Sequence, residues 1–194
     1  MDTKQRNIIE KLMVVGRTEI LKDFRPDSCI VSTAIGIDVL TYFGILAEPL
    51  PIKMSMFNAP YVKRIDSGGE FPNREILIRW GKEDGSYSVG IGYGENQPNK
   101  WAGHLVILVE NSWLIDLSID QANRPAYNMM FSPIAVEIDQ DFLLGKTPRI
   151  VKENDCVIRM ETIRDRGFLS SPDWAFKDRR SYLVNKIIQK IKET

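Results

Sequence analysis

The chain has 194 residues, of which 43% are hydrophobic and 27% charged, and its 26 basic residues balance its 26 acidic ones. This length suits one domain with a sizeable core, and the zero formal net charge argues against wholesale nucleic-acid binding. The charged N-terminus lacks a signal-peptide pattern, and no apolar segment approaches the roughly 20 residues that span a bilayer. We therefore expect a cytoplasmic protein without nucleic-acid or membrane partners, whose oligomeric state the sequence leaves open.

Helical spacing dominates the first forty residues. It predicts an N-terminal helix over 3–23, within the segment 1–24, with Gly16 as a candidate interruption. A second helix is predicted over 28–43, where Asp27 or Ser28 can cap the first backbone N–H groups. This helix is apolar almost all round, so we expect it to be deeply buried.

A sheet region follows over 51–163. Alternating patterns predict strands at 51–58, 74–80, 86–93, 104–110, 113–118, 134–138 and 156–163. Between the strands at 104–110 and 113–118, the residues 110–112 are predicted to form a tight hairpin turn. Gly90, Gly92 and Gly94 precede a turn without a helix behind it, which favours a glycine-bearing strand over a phosphate-binding loop.

The C-terminal part is predicted to be an irregular loop at 164–177 and an amphipathic helix at 178–192. Its basic residues are interpreted as the solvated face of that helix: Lys177, Arg179, Arg180, Lys186, Lys190 and Lys192. This order of elements indicates a single α+β domain over residues 1–194. Helices come first, an antiparallel sheet of five to seven strands follows, and a helix ends the chain.

Three residues suggest chemistry. Cys29 opens the buried helix, His104 is the only histidine and begins a strand, and Asp116 lies in the hairpin partner of that strand. A helix start favours a thiolate, an imidazole can take the thiol proton, and a carboxylate can orient the imidazole. Each residue alone has a structural interpretation, but their joint occurrence favours a cysteine-dependent acyl-transfer site.

The hairpin register decides which residue meets the imidazole. A turn at 110–112 places His104 beside residue 118 and diagonal to Asp116. Because a shift of one residue changes the outcome, Ser118 and Asp120 remain alternatives. The backbone N–H of Cys29 is one candidate oxyanion donor.

A second oxyanion donor is undecided among Asn58, Gln121 and Trp101, and Trp101 is also a candidate wall of a substrate groove. The flanking loops 60–73, 95–103 and 119–133 are expected to line that groove.

Other chemistries have weaker support. A closed zinc site needs four ligands, and the chain offers no second histidine and no Cys-x-x-Cys pair, so we expect no metal and no cofactor. Two distant cysteines do not form a disulfide framework, and Cys156 is interpreted as packing. The serious alternative to an enzyme is a non-catalytic binding module on the same fold.

Residues 25–125 resemble the papain-like cysteine enzymes that include transglutaminase-like proteins and arylamine N-acetyltransferases. The segment from Cys29 to Glu48 is similar to the nucleophile helix of that group, its glycine stop and the following strand, and 103–117 is similar to its His–Asp hairpin. The resemblance implies a papain-like α+β fold and a Cys29–His104–Asp116 triad. We expect acyl transfer or hydrolysis through a thioester, and the groove expected from the flanking loops favours peptide or protein amides as the substrate class.

Two departures from the family pattern leave the substrate open. Residues 25–28 read Arg-Pro-Asp-Ser rather than the Arg-Gly-Gly that precedes the cysteine in the acetyltransferases. Leu105 and Val106 replace the Ala-Trp that often follows the histidine in transglutaminase-like sequences.

Overall fold

The structure is a computed structural model that describes residues 1–25, 27–68, 72–97, 101–175 and 177–193. The α-helices of these residues are α1 (Thr3–Lys11), α2 (Arg17–Asp23), α3 (Cys29–Tyr42), α4 (Ala59–Asp66), α5 (Arg74–Asp84), α6 (Gln140–Leu143), α7 (Pro172–Ala175) and α8 (Lys177–Glu193). The strands are β1 (Ala47–Phe57), β2 (Ser88–Ile91), β3 (His104–Val109), β4 (Trp113–Asp116), β5 (Ile134–Glu137), β6 (Arg149–Glu153) and β7 (Cys156–Thr162). Short 3-10 segments lie at Ile119–Ala122, Pro125–Tyr127 and Gly167–Ser170, and a π-helical turn, Leu12–Gly16, joins α1 to α2.

The seven strands form one antiparallel sheet in the order β5-β4-β3-β1-β7-β6, with β2 paired to the second half of β1. The long strand β1 pairs with β3 along Ala47–Ile52 on one edge and with β7 along Ile52–Phe57 on the other. This offset pairing accompanies the curvature of the sheet into a nearly closed, barrel-like shape. The predicted α+β class is confirmed.

Alternation along the strands divides the apolar side chains between two cores. Ile107, Val109 and Ile115 pack with α3 and α8 on one face, and Val106 and Leu108 belong to a second core that also contains Cys156. Helix α3 is buried as its sequence predicts, because its apolar residues meet both the sheet and the C-terminal helix.

Helix α3 runs alongside β3, and the two elements begin at the same end. The Thr33 hydroxyl donates a hydrogen bond to the Leu105 carbonyl at 2.8 Å, which fixes the helix to the strand. At Gly36 a Cβ atom would collide with the Ile107 side chain, so glycine permits this close approach. The first residues of both elements, Cys29 and His104, therefore lie near each other.

The predicted strand at 74–80 is wrong, because these residues belong to helix α5. The Asn73 side chain accepts a hydrogen bond from the Ile76 N–H at 2.9 Å and caps the helix, and Gly85 ends it with a positive φ of 77°. The cap and the glycine stop, rather than the apolar pattern, identify this helix.

Other differences concern the surface elements. The expected loop at 60–73 contains α4, and its residues 69–71 lie outside the described residues. Residues 164–177 contain a 3-10 segment and α7 rather than only irregular chain, and strand β6 was not predicted.

The predicted solvated face of the last helix is only partly correct. Arg180 is buried against the Trp174 ring, while Lys186 and Lys190 form ion pairs with the buried Glu19. The side chains of Lys177 and Arg179 lie outside the described part of the structure. Among the described helices, none has the length and apolar character needed to cross a membrane.

The packing of the sheet against α3 makes a stability prediction. Ile115→Ala, in the fully buried core, should lower the free energy of unfolding by about 2–5 kcal/mol because it leaves a cavity. Ile150→Ala is the matched control on strand β6, where the side chain is 55% exposed, and should cost about 1 kcal/mol or less. Urea unfolding of both variants measures the difference, and equal losses would contradict this placement of the core.

Candidate active site

His104 and Asp116 form a buried hydrogen-bonded pair on adjacent strands. The pairing of Ile107 with Ile115 sets a register in which Asp116 is diagonal to His104. The imidazole Nε2 lies 2.7 Å from Asp116 Oδ2, and both side chains are 0% exposed. A carboxylate on the face opposite Ile115 thus has the buried partner that its position requires.

The second carboxylate oxygen of Asp116 is also bonded. Oδ1 accepts the Ser118 N–H at 2.8 Å and the Ser118 hydroxyl at 3.3 Å. Asp120, the other alternative from the sequence, is instead bound by Arg17. The structure therefore places Asp116, rather than Ser118 or Asp120, at the imidazole.

Cys29 is the first residue of α3 and lies at the wall of a cleft. Its side chain is 8% exposed, packs with Leu105 and Phe168, and lies close enough to His104 to help raise the pKa of the ring. Of the two predicted caps, Asp27 or Ser28, Ser28 holds the N-cap position, but its hydroxyl donates to the Arg25 carbonyl at 2.6 Å and makes no capping bond. The first N–H groups of α3 consequently keep their capacity to bind an anion.

The ionisation of His104 is set by its surroundings. Complete burial lowers the pKa of the ring, but the charge and hydrogen bond of Asp116, together with the Cys29 thiol, outweigh burial and raise the pKa from 6.5 to about 10. At neutral pH the ring is therefore an imidazolium, which provides a positive charge beside the thiol.

Gln121 contacts the other ring nitrogen. It belongs to the 3-10 segment that follows β4, and its Nε2 lies 3.0 Å from His104 Nδ1. A protonated ring carries an N–H at Nδ1, and a 180° rotation of the amide then presents Oε1 as the acceptor. The same side chain can thus serve the neutral and the charged imidazole.

The other two candidate oxyanion donors use their N–H groups elsewhere. Trp101 Nε1 donates to Asp165 at 3.1 Å, and its ring lies in the cleft wall against Phe168. Asn58 caps helix α4, and its amide donates to the Gly85 carbonyl at 2.8 Å. Of the three, only Gln121 combines a place in the cleft with contact to His104.

The cleft has a volume of about 620 Å³. Its walls come from the start of α3, the end of β2 and the chain after it, the chain before β3, the 3-10 segment Ile119–Ala122 and the start of α7. The lining residues that the sequence did not indicate are Asp27, Ser28, Ile30, Gly90, Ile91, Gly92, Tyr93, Gly94, Ser171 and Asp173.

The glycine spacing at 90–94 was the signal for one of these walls. Gly92 has a φ of 86°, and a Cβ there would lie 2.9 Å from the Lys53 Cα. Of the predicted loops, 95–103 and 119–133 contribute lining residues, whereas the described part of 60–73 does not.

Within the described residues, no group of three or more His, Cys, Asp or Glu side chains could hold a metal ion. Comparisons of the chain with protein-family models, with curated proteins and with solved structures gave no match. The functional argument therefore depends on the geometry of the cleft.

His104 is the only histidine in the chain, so its NMR signals give an unambiguous titration. We expect the imidazole to titrate at about pH 10, and Asp116→Asn to lower its pKa because the carboxylate charge is lost. Since the folded-state pKa lies above 6.5, the stability from this interaction is complete below about pH 6.5 and is lost as the pH rises through about 10.

The control variant is Glu153→Gln on strand β6, which should leave the His104 titration unchanged. A ring that titrates near 6.5 in the folded wild type would contradict the charged pair.

Proposed function

We propose that this protein is a cysteine-dependent enzyme that catalyses acyl transfer or amide hydrolysis through a thioester. Cys29 is the nucleophile, His104 transfers protons and Asp116 orients the imidazole. One observation carries the proposal: the Cys29 thiol lies at an uncapped helix start in a cleft and interacts electrostatically with an imidazole that is held by a buried carboxylate.

The reaction follows from these positions. With the thiol proton on His104, the Cys29 sulfur attacks the carbonyl carbon of an amide and forms a tetrahedral oxyanion. The backbone N–H of Cys29 and the Gln121 amide donate hydrogen bonds to this oxygen. His104 gives its proton to the departing amine, which leaves a thioester on Cys29.

The second half of the reaction regenerates the thiol. Water or an amine attacks the thioester carbonyl while His104 accepts a proton from the nucleophile. His104 then returns the proton to the departing sulfur. Asp116 stabilises the imidazolium in each half without changing its own protonation.

A papain-like fold of the transglutaminase or acetyltransferase branch is part of the proposal. Two features support it: the nucleophile begins a buried helix that packs on an antiparallel sheet, and the histidine and aspartate lie on adjacent strands in the order Cys, His, Asp.

The charge of the cleft favours a cationic peptide or protein substrate. Asp27, Glu95 and Asp173 contribute exposed carboxylates to its lining, and none of them forms an ion pair with another described residue. No lysine, arginine or histidine is among the described lining residues. Negative potential in a cleft raises the local concentration of positively charged substrate.

The second candidate function is a peptide-binding module without chemistry. The near-complete burial of the Cys29 side chain among Leu105 and Phe168 favours it, because an inaccessible thiol is inert.

The two cysteines provide an internal control for the enzyme. Iodoacetamide near neutral pH should label Cys29 quickly and Cys156 only after unfolding, since burial raises the pKa of the Cys156 thiol and that residue lies in the second core. Intact-mass analysis after incubation with electrophilic peptides should give an adduct in wild type and in Cys156→Ala.

The adduct should be absent in Cys29→Ala and reduced by about 100-fold or more in His104→Ala. Circular dichroism checks that both variants fold. Labelling of Cys29 only after denaturation would leave the binding module as the better interpretation.

The cleft charge predicts a preference among otherwise identical peptide esters. Esters with lysine beside the scissile carbonyl should react several-fold faster than esters with glutamate there, and added salt should narrow the difference. The triple variant Asp27→Asn, Glu95→Gln, Asp173→Asn should lose this preference, whereas Asp66→Asn, an exposed site outside the cleft, should keep it. An unchanged preference in the triple variant would refute the role of these carboxylates.

A further inference from the structure

Arg17 is a buried arginine that bridges two segments of the chain. It is 4% exposed and is the first residue of α2, directly after the π-helical turn. Its Nε lies 3.1 Å from Asp120 Oδ2 and its Nη2 lies 2.5 Å from Asp120 Oδ1. Its Nη1 donates to the Ser32 hydroxyl at 3.2 Å.

Both partners adjoin residues of the cleft. Asp120 immediately precedes Gln121, whose amide contacts His104 Nδ1. Ser32 lies on α3 one turn after Cys29. One guanidinium therefore connects the segment that presents Gln121 with the helix that presents the thiol.

We propose that Arg17 is a positioning residue for the reaction described above, acting through Gln121 and the start of α3. This inference rests on the proposed function. Arg17 contacts Asp120 and Ser32, and through them it fixes the distance between the Gln121 amide and the Cys29–His104 pair.

The chemistry of the pair supports an arginine at this position. A bidentate guanidinium–carboxylate pair fixes the orientation of the carboxylate as well as its distance. The hydrogen bond from Nη1 to Ser32 uses a further N–H group of the planar guanidinium, and a lysine cannot combine this bond with the bidentate pair. Burial of the guanidinium makes the arrangement rigid, because leaving that charge unpaired away from water is costly.

The π-helical turn affects the side of the helix on which Arg17 lies. Five residues, Leu12–Gly16, adopt the wider helical geometry between α1 and α2, which changes the helical phase of every residue that follows. π-Helical insertions occur frequently at functional sites. In this chain the insertion immediately precedes the residue that binds Asp120.

The test uses Arg17→Lys, Asp120→Asn and Ser32→Ala in the full chain. Arg64→Lys is the matched control, because Arg64 also binds two carboxylates, those of Glu83 and Asp84, but lies outside the cleft lining. Asp120 is partly exposed and its replacement is isosteric, so Asp120→Asn keeps the test informative if Arg17→Lys fails to fold. Urea unfolding establishes which variants are folded.

Two measurements follow on the folded variants: the rate of Cys29 alkylation by iodoacetamide from pH 5 to 10, and the NMR titration of His104. We expect Arg17→Lys and Asp120→Asn to slow alkylation by about tenfold and to shift the His104 signals, while Arg64→Lys changes neither. Ser32→Ala should have a smaller effect of the same sign, because it removes a neutral hydrogen bond and leaves the guanidinium–carboxylate pair intact.

A double-mutant cycle separates positioning from general stability. If Arg17 acts through Gln121, Asp120→Asn should slow alkylation about tenfold in wild type but by less than about twofold in Gln121→Ala. Equal effects in both backgrounds, or wild-type alkylation and His104 signals in folded Asp120→Asn, would overturn the proposal.

These readouts need no peptide substrate. Failure of the peptide-adduct experiment alone would therefore refute the proposed reaction and leave the positioning role to be judged on the cycle.

Discussion

The buried hydrogen bond between His104 and Asp116 is the interaction on which this site depends. Two ionisable side chains without solvent exposure are tolerated only as a pair, since either one alone would carry a desolvation penalty of several kcal/mol. The pair therefore also selects the hairpin register, because a shift of one residue would turn Asp116 to the opposite face. Positive φ angles at Glu110 and Asn111 form the turn that holds this register.

The distance between thiol and imidazole is a packing property of α3 on the sheet. Thr33 and Gly36 determine how closely the helix approaches β3, and both elements begin at the same end. The site thus joins three parts of the chain that are remote in sequence: the start of α3, the β3–β4 hairpin and the 3-10 segment after it. Arg17 adds a fourth, the helical segment after the π-turn.

Strong periodicity made some features predictable. The buried helix at 28–43 and the His104 hairpin have unambiguous patterns. Alternation together with a turn at 110–112 placed Asp116 diagonal to His104, but Ser118 and Asp120 stayed as alternatives until the register was known. The run containing Ile76, Leu77 and Trp80 fits both the helical and the strand period. The Asn73 cap and the Gly85 stop therefore determine that this segment is a helix.

Long-range partners could not be derived in the same way. Asn58, Gln121 and Trp101 are equivalent as donors in the sequence, and only their contacts with Gly85, His104 and Asp165 distinguish them. Arg17 and Asp120 are 103 positions apart, and no local pattern connects them.

The small exposed area of Cys29 also determines what can reach the sulfur. In the proposed reaction a rigid globular surface would be too broad to reach this sulfur, so the attacked group would have to lie on a chain terminus, a flexible loop or the tip of a long side chain. The rate at which the proposed reaction modifies a partner protein would then depend more on the local flexibility of that protein than on the number of amides that it contains.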